Sequence, residues 1–127
     1  MRIKEKLIDK NLSDQLKELY KTIINAPSDY SVLEIRKLCS IEFAKIFSNV
    51  KFILKGTENL PTESSSIFIY NHLNNHINYS IFDDFQITLD SHFISSIILK
   101  KYYANPGTRV VRCSLKDEVN HFNYYYK

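Results

Sequence analysis

Ser66-Ile67-Phe68-Ile69-Tyr70-Asn71-His72, residues 66–72, is the stretch that decides which fold this sequence predicts. Ile67 to Tyr70 form a continuous apolar run that ends abruptly in Asn71 and His72. A short run of this kind is typical of a strand buried on both faces, as in a parallel sheet flanked by helices. The sequence therefore predicts a buried strand that delivers an Asn-His pair at its carboxyl end.

Other segments predict neighbours for this strand. Val50-Lys51-Phe52-Ile53-Leu54-Lys55 reads as a strand that Gly56 closes, and Arg109–Cys113 reads as a short strand after the Asn105-Pro106-Gly107 turn. Phe93–Leu99 is a further apolar run that suits either a strand or a helix. We therefore expect an α/β fold with a partial, mostly parallel sheet and flanking helices.

The first part of the chain has a different period. Apolar residues recur at helical spacing over residues 13–25, which predicts an amphipathic helix. Ser31 followed by Glu34 is a capping box, so a second helix is expected to begin there. We predict a helical hairpin over residues 1–48 and the α/β part over residues 49–127.

Composition and charge exclude several classes of protein. The 127 residues include 17 Lys and Arg against 14 Asp and Glu, for a net charge of +3, and the basic residues are scattered. Nucleic-acid binding is not expected, because it needs cations clustered on one face. Cys39 and Cys113 occur without a CxxC pair, which argues against a disulfide framework or zinc ribbon. The sequence shows no signal peptide or membrane span, which predicts a cytoplasmic location.

His72 is the candidate for chemistry. Ligands of open α/β sheets bind at the carboxyl ends of strands, which is where the predicted strand places this imidazole. An imidazole titrates near neutral pH, so it can take a proton from a substrate hydroxyl and allow that oxygen to attack an acyl thioester. It needs an acceptor to orient it. The sequence thus predicts a general base.

Three segments occur in an order that resembles a known family. Residues 50–61, ending in Gly-Thr-Glu-Asn-Leu-Pro, are similar to a family strand that ends in Gly-x-Glu-Asn-Leu-Pro. Residues 67–72 resemble the strand that carries the Asn-His of a first motif, His-x-x-x-x-Asp. Residues 107–112, Gly-Thr-Arg-Val-Val-Arg, are similar to a second motif in which a Gly and an apolar strand precede an Arg. The family is that of the glycerolipid acyltransferases, which act on 1-acylglycerol 3-phosphate or glycerol 3-phosphate.

The resemblance implies transfer of a fatty acyl group from acyl-CoA or acyl-carrier protein to a hydroxyl of a glycerophosphate or lysophospholipid. It implies His72 as the base, with Asn71 and Arg112 in substrate binding, where Arg112 would hold the acceptor's phosphate. No metal or other cofactor is implied. The amphipathic leading helices are similar to those that place some members peripherally on the inner membrane face.

The chain departs from the family's pattern in two places. Ile77 stands where the family has its orienting Asp, and an aliphatic side chain cannot orient an imidazole. Asp83 and Asp84 follow, and either could fold back toward His72. The family's third and fourth motifs would lie beyond Lys127, so we expect an apparently truncated domain. A non-catalytic remnant or binding module is therefore the alternative to an enzyme.

A metal-dependent hydrolase is a further alternative. His72 and His76 form a His-x-x-x-His pair, which presents both rings on one face if the segment is helical. Asp83 or Asp84 could supply a third ligand. The pair lacks the intervening Glu of metalloprotease helices and is surrounded by asparagines, so the acyltransferase interpretation is preferred.

Overall fold

The computed structural model describes residues 3–48, 50–63, 65–72 and 79–127, with the side chains of the first helix described from residue 11. None of the helices in these ranges combines the length with the apolar composition that a membrane span requires. The elements, in chain order, are α1 Ile3–Ile24, α2 Val32–Ser48, a 3₁₀ turn Thr57–Asn59, β1 Ser80–Phe82, β2 Phe85–Gln86, α3 Leu89–Phe93, a π-helical stretch Ile94–Leu99, α4 Lys100–Tyr103 and α5 Val119–Tyr125.

The two predicted N-terminal helices are confirmed as α1 and α2, which pack against each other. The capping box forms as predicted, because the Ser31 amide donates to Glu34 Oε2 at 2.7 Å and the Glu34 amide donates to Ser31 Oγ at 3.3 Å. These bonds satisfy amide groups that would otherwise lack a partner at the start of α2. Local chemistry therefore sets where this helix begins.

The core lies between the apolar faces of α1 and α2, the β1–β2 hairpin and α5. Burial of these apolar side chains is the main stabilising contribution to the fold. Aromatic rings link the elements, since the Tyr20 ring of α1 stacks on the Tyr124 ring of α5 with centroids 6.0 Å apart. The buried cluster consists of Leu16, Leu19, Tyr20, Ile23, Cys39, Phe43, Ile46, Ile81, Phe85, Ile87 and Tyr124.

The predicted mostly parallel sheet is wrong. The described residues contain one two-stranded antiparallel sheet, β1 with β2, and the predicted strands at 50–55, 66–70 and 109–113 pair with no neighbour. Ile67 and Ile69 are each 92% exposed, so the run at 66–70 is not buried either. An apolar run shows that a segment is able to form a strand, but a strand also needs a partner. Here the helices and the hairpin already enclose the core.

The ambiguous run Phe93–Leu99 is helical. It continues α3 through the π-helical stretch into α4, so a single helical segment runs over residues 89–103. The segment ends at Ala104, whose φ of +54° is left-handed. The chain then turns at Gly107, whose φ is +72°, and a Cβ at that position would lie 2.9 Å from Leu99 Cδ1. Glycine is favoured here because it adopts this left-handed conformation without strain, and any side chain at this position would also require the end of the Leu99 side chain to move.

The contrast between buried and exposed apolar residues gives a stability test. Phe43 is fully buried, and its ring stacks on that of His92 with centroids 4.7 Å apart. Phe43→Ala should lower the free energy of unfolding by about 3–5 kcal/mol, because the cavity cannot close completely. Ile67→Ala is the matched control and should change it by less than about 0.5 kcal/mol. Urea titration measures both, and a large loss in the control would show that the 66–70 segment is buried.

Candidate functional site

The imidazole of His72 contacts the carboxylate of Asp90. His72 Nδ1 lies 2.5 Å from Asp90 Oδ2, in an ion-pair geometry. The Asp90 side chain is only 10% exposed, whereas the His72 side chain is 58% exposed. A carboxylate at this nitrogen fixes the neutral imidazole with its proton on Nδ1 and leaves Nε2 as the acceptor. The pair therefore has the geometry of an oriented general base.

The first turn of α3 holds Asp90 in position. Its other carboxylate oxygen, Oδ1, accepts a hydrogen bond of 2.7 Å from the Ser91 amide. The amide groups at a helix start lack partners within the helix and carry partial positive charge, so a carboxylate is favoured there. Because both oxygens are bonded, the carboxylate has little freedom to turn away from His72.

The His72 ring lines an open cleft of about 730 Å³. One wall is the β1–β2 hairpin with its Asp83–Asp84 turn, another is the start of α3, and a third is the segment 109–112 with the start of α5. Polar and charged groups from these elements face the same space. The cleft is therefore suited to a polar or charged ligand within reach of His72.

Arg112, predicted to bind the substrate's phosphate, lines this cleft and is paired with Glu118. Its guanidinium donates to both carboxylate oxygens of Glu118, with distances of 2.7 and 2.5 Å. This bidentate contact, together with the Leu115 amide, lowers the pKa of Glu118 from 4.5 to about 2. The charge of Arg112 is thus neutralised locally, and an incoming phosphate would have to compete with Glu118 for it.

Arg109 lines the same cleft and has no carboxylate within ion-pair distance among the described residues. Its Nη1 donates to Ser91 Oγ at 2.8 Å, and its guanidinium carbon lies 5.6 Å from the centre of the Tyr125 ring. A cation over an aromatic face gains some electrostatic stabilisation. Because these contacts use few of the guanidinium N–H groups, Arg109 keeps most of them available.

A buried hydrogen-bonded chain lies behind the cleft wall. His92 Nδ1 is 2.8 Å from the Thr88 carbonyl, and its Nε2 is 2.9 Å from the Tyr124 hydroxyl. A carbonyl only accepts, so Nδ1 carries the proton, Nε2 accepts from Tyr124, and the Tyr124 oxygen accepts from Cys39 Sγ at 3.2 Å. Burial, with a smaller contribution from the charge of Arg109, holds the pKa of His92 well below its ordinary value. His92 is therefore neutral.

A second, apolar groove of about 360 Å³ adjoins the other side of the His72–Asp90 pair. It shares Tyr70 with the polar cleft and includes Asn71 and Asp90 at its edge. The rest of its lining is aliphatic or aromatic, from Phe47, Leu89, Phe93 and Ile94. The His72–Asp90 pair thus lies between a polar and an apolar space.

The predicted residues are distributed as follows. Asn71 is exposed, next to His72, at the edge of the apolar groove. Asp83 and Asp84 both line the cleft, but Asp84 accepts two 2.8 Å bonds from Asn120, and the carboxylate on His72 is Asp90.

His76 and Ile77 lie outside the described residues. The proposed metal site of His72 and His76 is therefore without a structural description. Among the residues that the structure covers, no group of three or more His, Cys, Asp or Glu is placed to hold a metal ion.

Sequence reasoning missed Asp90 and Arg109. Asp90 is 18 residues from His72, and only the folding of α3 against the 65–72 segment brings the two together. Its place before Ser91 and His92 in a helix start was the one available signal, since carboxylates are favoured there. Arg109 lies in the same apparent strand as Arg112, and the pattern alone gave no reason to prefer it.

Protein-family models, curated proteins and solved structures were each compared with the chain, and none of them matches it. A function must therefore be argued from the residues of this chain and from the geometry of the site around His72.

The Arg112–Glu118 pair predicts a pH dependence of stability. The pKa of Glu118 is lowered to about 2, so its ionised form stabilises the folded state above about pH 4.5, and this contribution is lost as the pH falls toward 2. Glu118→Gln should remove that component and flatten the acid limb of the stability profile. Urea midpoints measured between pH 2 and pH 7 test this.

The matched control is Asp117→Asn, which removes a neighbouring exposed carboxylate that makes no ion pair among the described residues. This variant should follow the wild-type profile. An identical acid limb in wild type and Glu118→Gln would show that the pair does not form in solution.

Proposed function

We propose that this chain is an acyltransferase-like protein that moves a fatty acyl group from acyl-CoA or acyl-carrier protein to a hydroxyl of a glycerophosphate or lysophospholipid. The single observation that carries the proposal is the His72–Asp90 pair between a polar cleft and an apolar groove. The motif order around residues 50–72 and 107–112 supports it. The proposed location is the cytoplasm, at the inner membrane surface where such lipids are available.

The proposed step uses His72 as a base. Asp90 holds the Nδ1 proton, so Nε2 takes the proton from the acceptor hydroxyl as its oxygen attacks the thioester carbonyl carbon. A carbon–oxygen bond forms, and the tetrahedral intermediate collapses with cleavage of the carbon–sulfur bond. The leaving thiolate recovers the proton from the imidazolium, which Asp90 stabilises while it is charged. The products are an ester and a thiol, and His72 is regenerated.

The two spaces match the two ends of such substrates. The apolar groove, lined by Phe47, Leu89, Phe93 and Ile94, suits a hydrocarbon chain, since burying each methylene contributes about 0.8 kcal/mol. The polar cleft suits a glycerol phosphate. The Asp90 side chain borders the groove and His72 lines the cleft, so an acyl carbonyl and a hydroxyl would meet at the base.

A binding protein without turnover is the second candidate. The exposure of His72, at 58%, favours it, because an acyl-transfer site normally excludes water from the reacting carbonyl. Such a protein would use the same cleft and groove to hold a lysophospholipid. The two candidates differ in whether His72 and Asp90 are needed for a chemical product.

Acyl transfer from palmitoyl-CoA to lysophosphatidic acid tests the proposal. His72→Ala should lower the rate by about 10²- to 10⁴-fold, because the general base is lost. Asp90→Asn should lower it about a hundredfold or more, because the amide neither fixes the same tautomer nor stabilises the imidazolium. Asp29→Asn, an exposed carboxylate in the link between α1 and α2, should retain the wild-type rate.

Equal background rates in wild type and His72→Ala would remove the enzyme proposal. Binding of lysophosphatidic acid by both proteins would then establish the binding role. Full activity in Asp90→Asn would show that Asp90 does not orient the base.

The groove makes a separate prediction about chain length. Ile94→Trp should fill part of the 360 Å³ groove and reduce the rate with palmitoyl-CoA by about tenfold or more, while the rate with octanoyl-CoA changes less. The measurement is kcat/KM for both donors. Ile97→Trp is a matched substitution in the same helical segment at a residue outside the groove lining, and it should affect both donors equally. Parallel losses in Ile94→Trp would place the acyl chain elsewhere.

A further inference from the structure

We infer that Arg109, rather than Arg112, is the anion-binding residue of the cleft, and that its ligand is a phosphomonoester. The assignment of that phosphate to the acyl acceptor rests on the proposed function. The anion site itself does not, because it follows from the hydrogen bonds and charges around Arg109.

Arg109 is held in place by contacts that leave its charge uncompensated. Ser91 Oγ accepts from Nη1 at 2.8 Å and is the one hydrogen-bond acceptor that Arg109 has among the described residues. His92 Nδ1 lies 3.1 Å from the same Nη1, but this nitrogen carries its own proton toward the Thr88 carbonyl and cannot accept. A guanidinium has five N–H donors, so most of them remain for a ligand.

Arg36 fixes the backbone that carries Arg109. Its Nη2 donates to Ser95 Oγ at 2.9 Å and to the Pro106 carbonyl at 3.2 Å, and both Nε and Nη2 donate to the Gly107 carbonyl at 3.2 Å. These bonds tie α2 to the π-helical stretch and to the turn that leads into Arg109. The position of Arg109 is therefore set before a ligand arrives, which reduces the ordering cost of binding.

The two guanidiniums also create a local excess of positive charge. Neither Arg36 nor Arg109 has a carboxylate within 4.0 Å in the part of the chain that the structure describes. Burial and then the charge of Arg109 lower the pKa of Arg36 from its ordinary value. A partly buried cation without a counter-charge is costly, and an anion bound at the cleft wall would relieve that cost.

The carboxylates of the cleft are engaged elsewhere or exposed. Glu118 is held by Arg112, and Asp84 accepts both the amide and the side-chain nitrogen of Asn120. Asp83 is exposed on the hairpin turn and forms no ion pair with Arg109. The cleft therefore offers one uncommitted cation, Arg109, among its described residues.

The chemistry of a guanidinium selects the ligand class. A planar fork of N–H donors binds the oxygens of phosphate or carboxylate in pairs, and a phosphomonoester dianion carries the larger charge. His72 lines the same cleft, so a small phosphomonoester held by Arg109 would keep its hydroxyl groups near the base. Glycerol 3-phosphate carries both a phosphomonoester and free hydroxyl groups, so it is the probe for the test.

The experiment compares binding of glycerol 3-phosphate by isothermal titration calorimetry at constant salt. Arg109→Gln should weaken binding by about tenfold or more, as expected for the loss of charge-assisted hydrogen bonds. The control is the double variant Arg112→Gln/Glu118→Gln, which removes the other pair without changing the net charge and should alter binding by less than about twofold. Inorganic phosphate should show the same order among the variants.

Arg109→Lys keeps the charge and loses the fork, so its affinity should fall between wild type and Arg109→Gln. If circular dichroism shows that Arg109→Gln does not fold, the comparison of wild type with Arg109→Lys tests the inference instead. Equal affinity in wild type and Arg109→Lys with a large loss in the double variant would overturn the inference in favour of Arg112. Absence of binding by wild type would also overturn it.

His72→Ala separates this inference from the proposed function. It should bind glycerol 3-phosphate like wild type while losing acyl transfer. If the wild-type protein binds glycerol 3-phosphate through Arg109 and yet transfers no acyl group, that result would support the anion site and contradict the enzyme proposal. Acyl transfer that is unaffected by Arg109→Gln would support the enzyme proposal and overturn the assignment of the anion site to Arg109.

Discussion

The rest of the site depends on the burial of a neutral histidine. His92 is 1% exposed, with Phe43 of α2 stacked on its ring, and its two nitrogens bond the Thr88 carbonyl and the Tyr124 hydroxyl. These contacts join α2, α3 and α5 through one side chain. A buried imidazole with both nitrogens satisfied tolerates little movement of its partners, because an unpaired polar group in the core is costly. The start of α3 is therefore fixed relative to the core.

The same constraint positions the side chains of the candidate site. Asp90 and Ser91 lie between Thr88 and His92 in the sequence, so the turn that His92 anchors is the turn that orients Asp90 toward His72 and Ser91 toward Arg109. The neutrality of His92 matters as well. A protonated ring 3.1 Å from Arg109 would add a second cation, whereas the neutral ring leaves the charge concentrated on the guanidinium that faces the cleft.

Sequence patterns correctly predicted features that depend on residues a few positions apart. They failed for features that depend on contacts between distant parts of the chain. The stripe of α1 and the Ser31–Glu34 box depend on residues a few positions apart, and both formed as predicted. The 66–70 segment has strand composition, but whether it pairs depends on segments far along the chain, and in the described structure it pairs with none. His72 was proposed from the sequence because a strand-like run precedes it. Asp90 was not proposed, because a contact between residues 18 positions apart leaves no periodic pattern in the sequence.

His72 follows an irregular exposed segment, whereas Asp90 belongs to a helix anchored in the core. A catalytic group is positioned most accurately when the element beneath it is rigid. In this site the rigid element carries Asp90, whereas His72 lies on the exposed segment. The imidazole is therefore aligned only while the Asp90 contact holds, and this contact joins residues 18 positions apart in the sequence. The folded arrangement, rather than a fixed spacing along the sequence, decides which carboxylate contacts the imidazole.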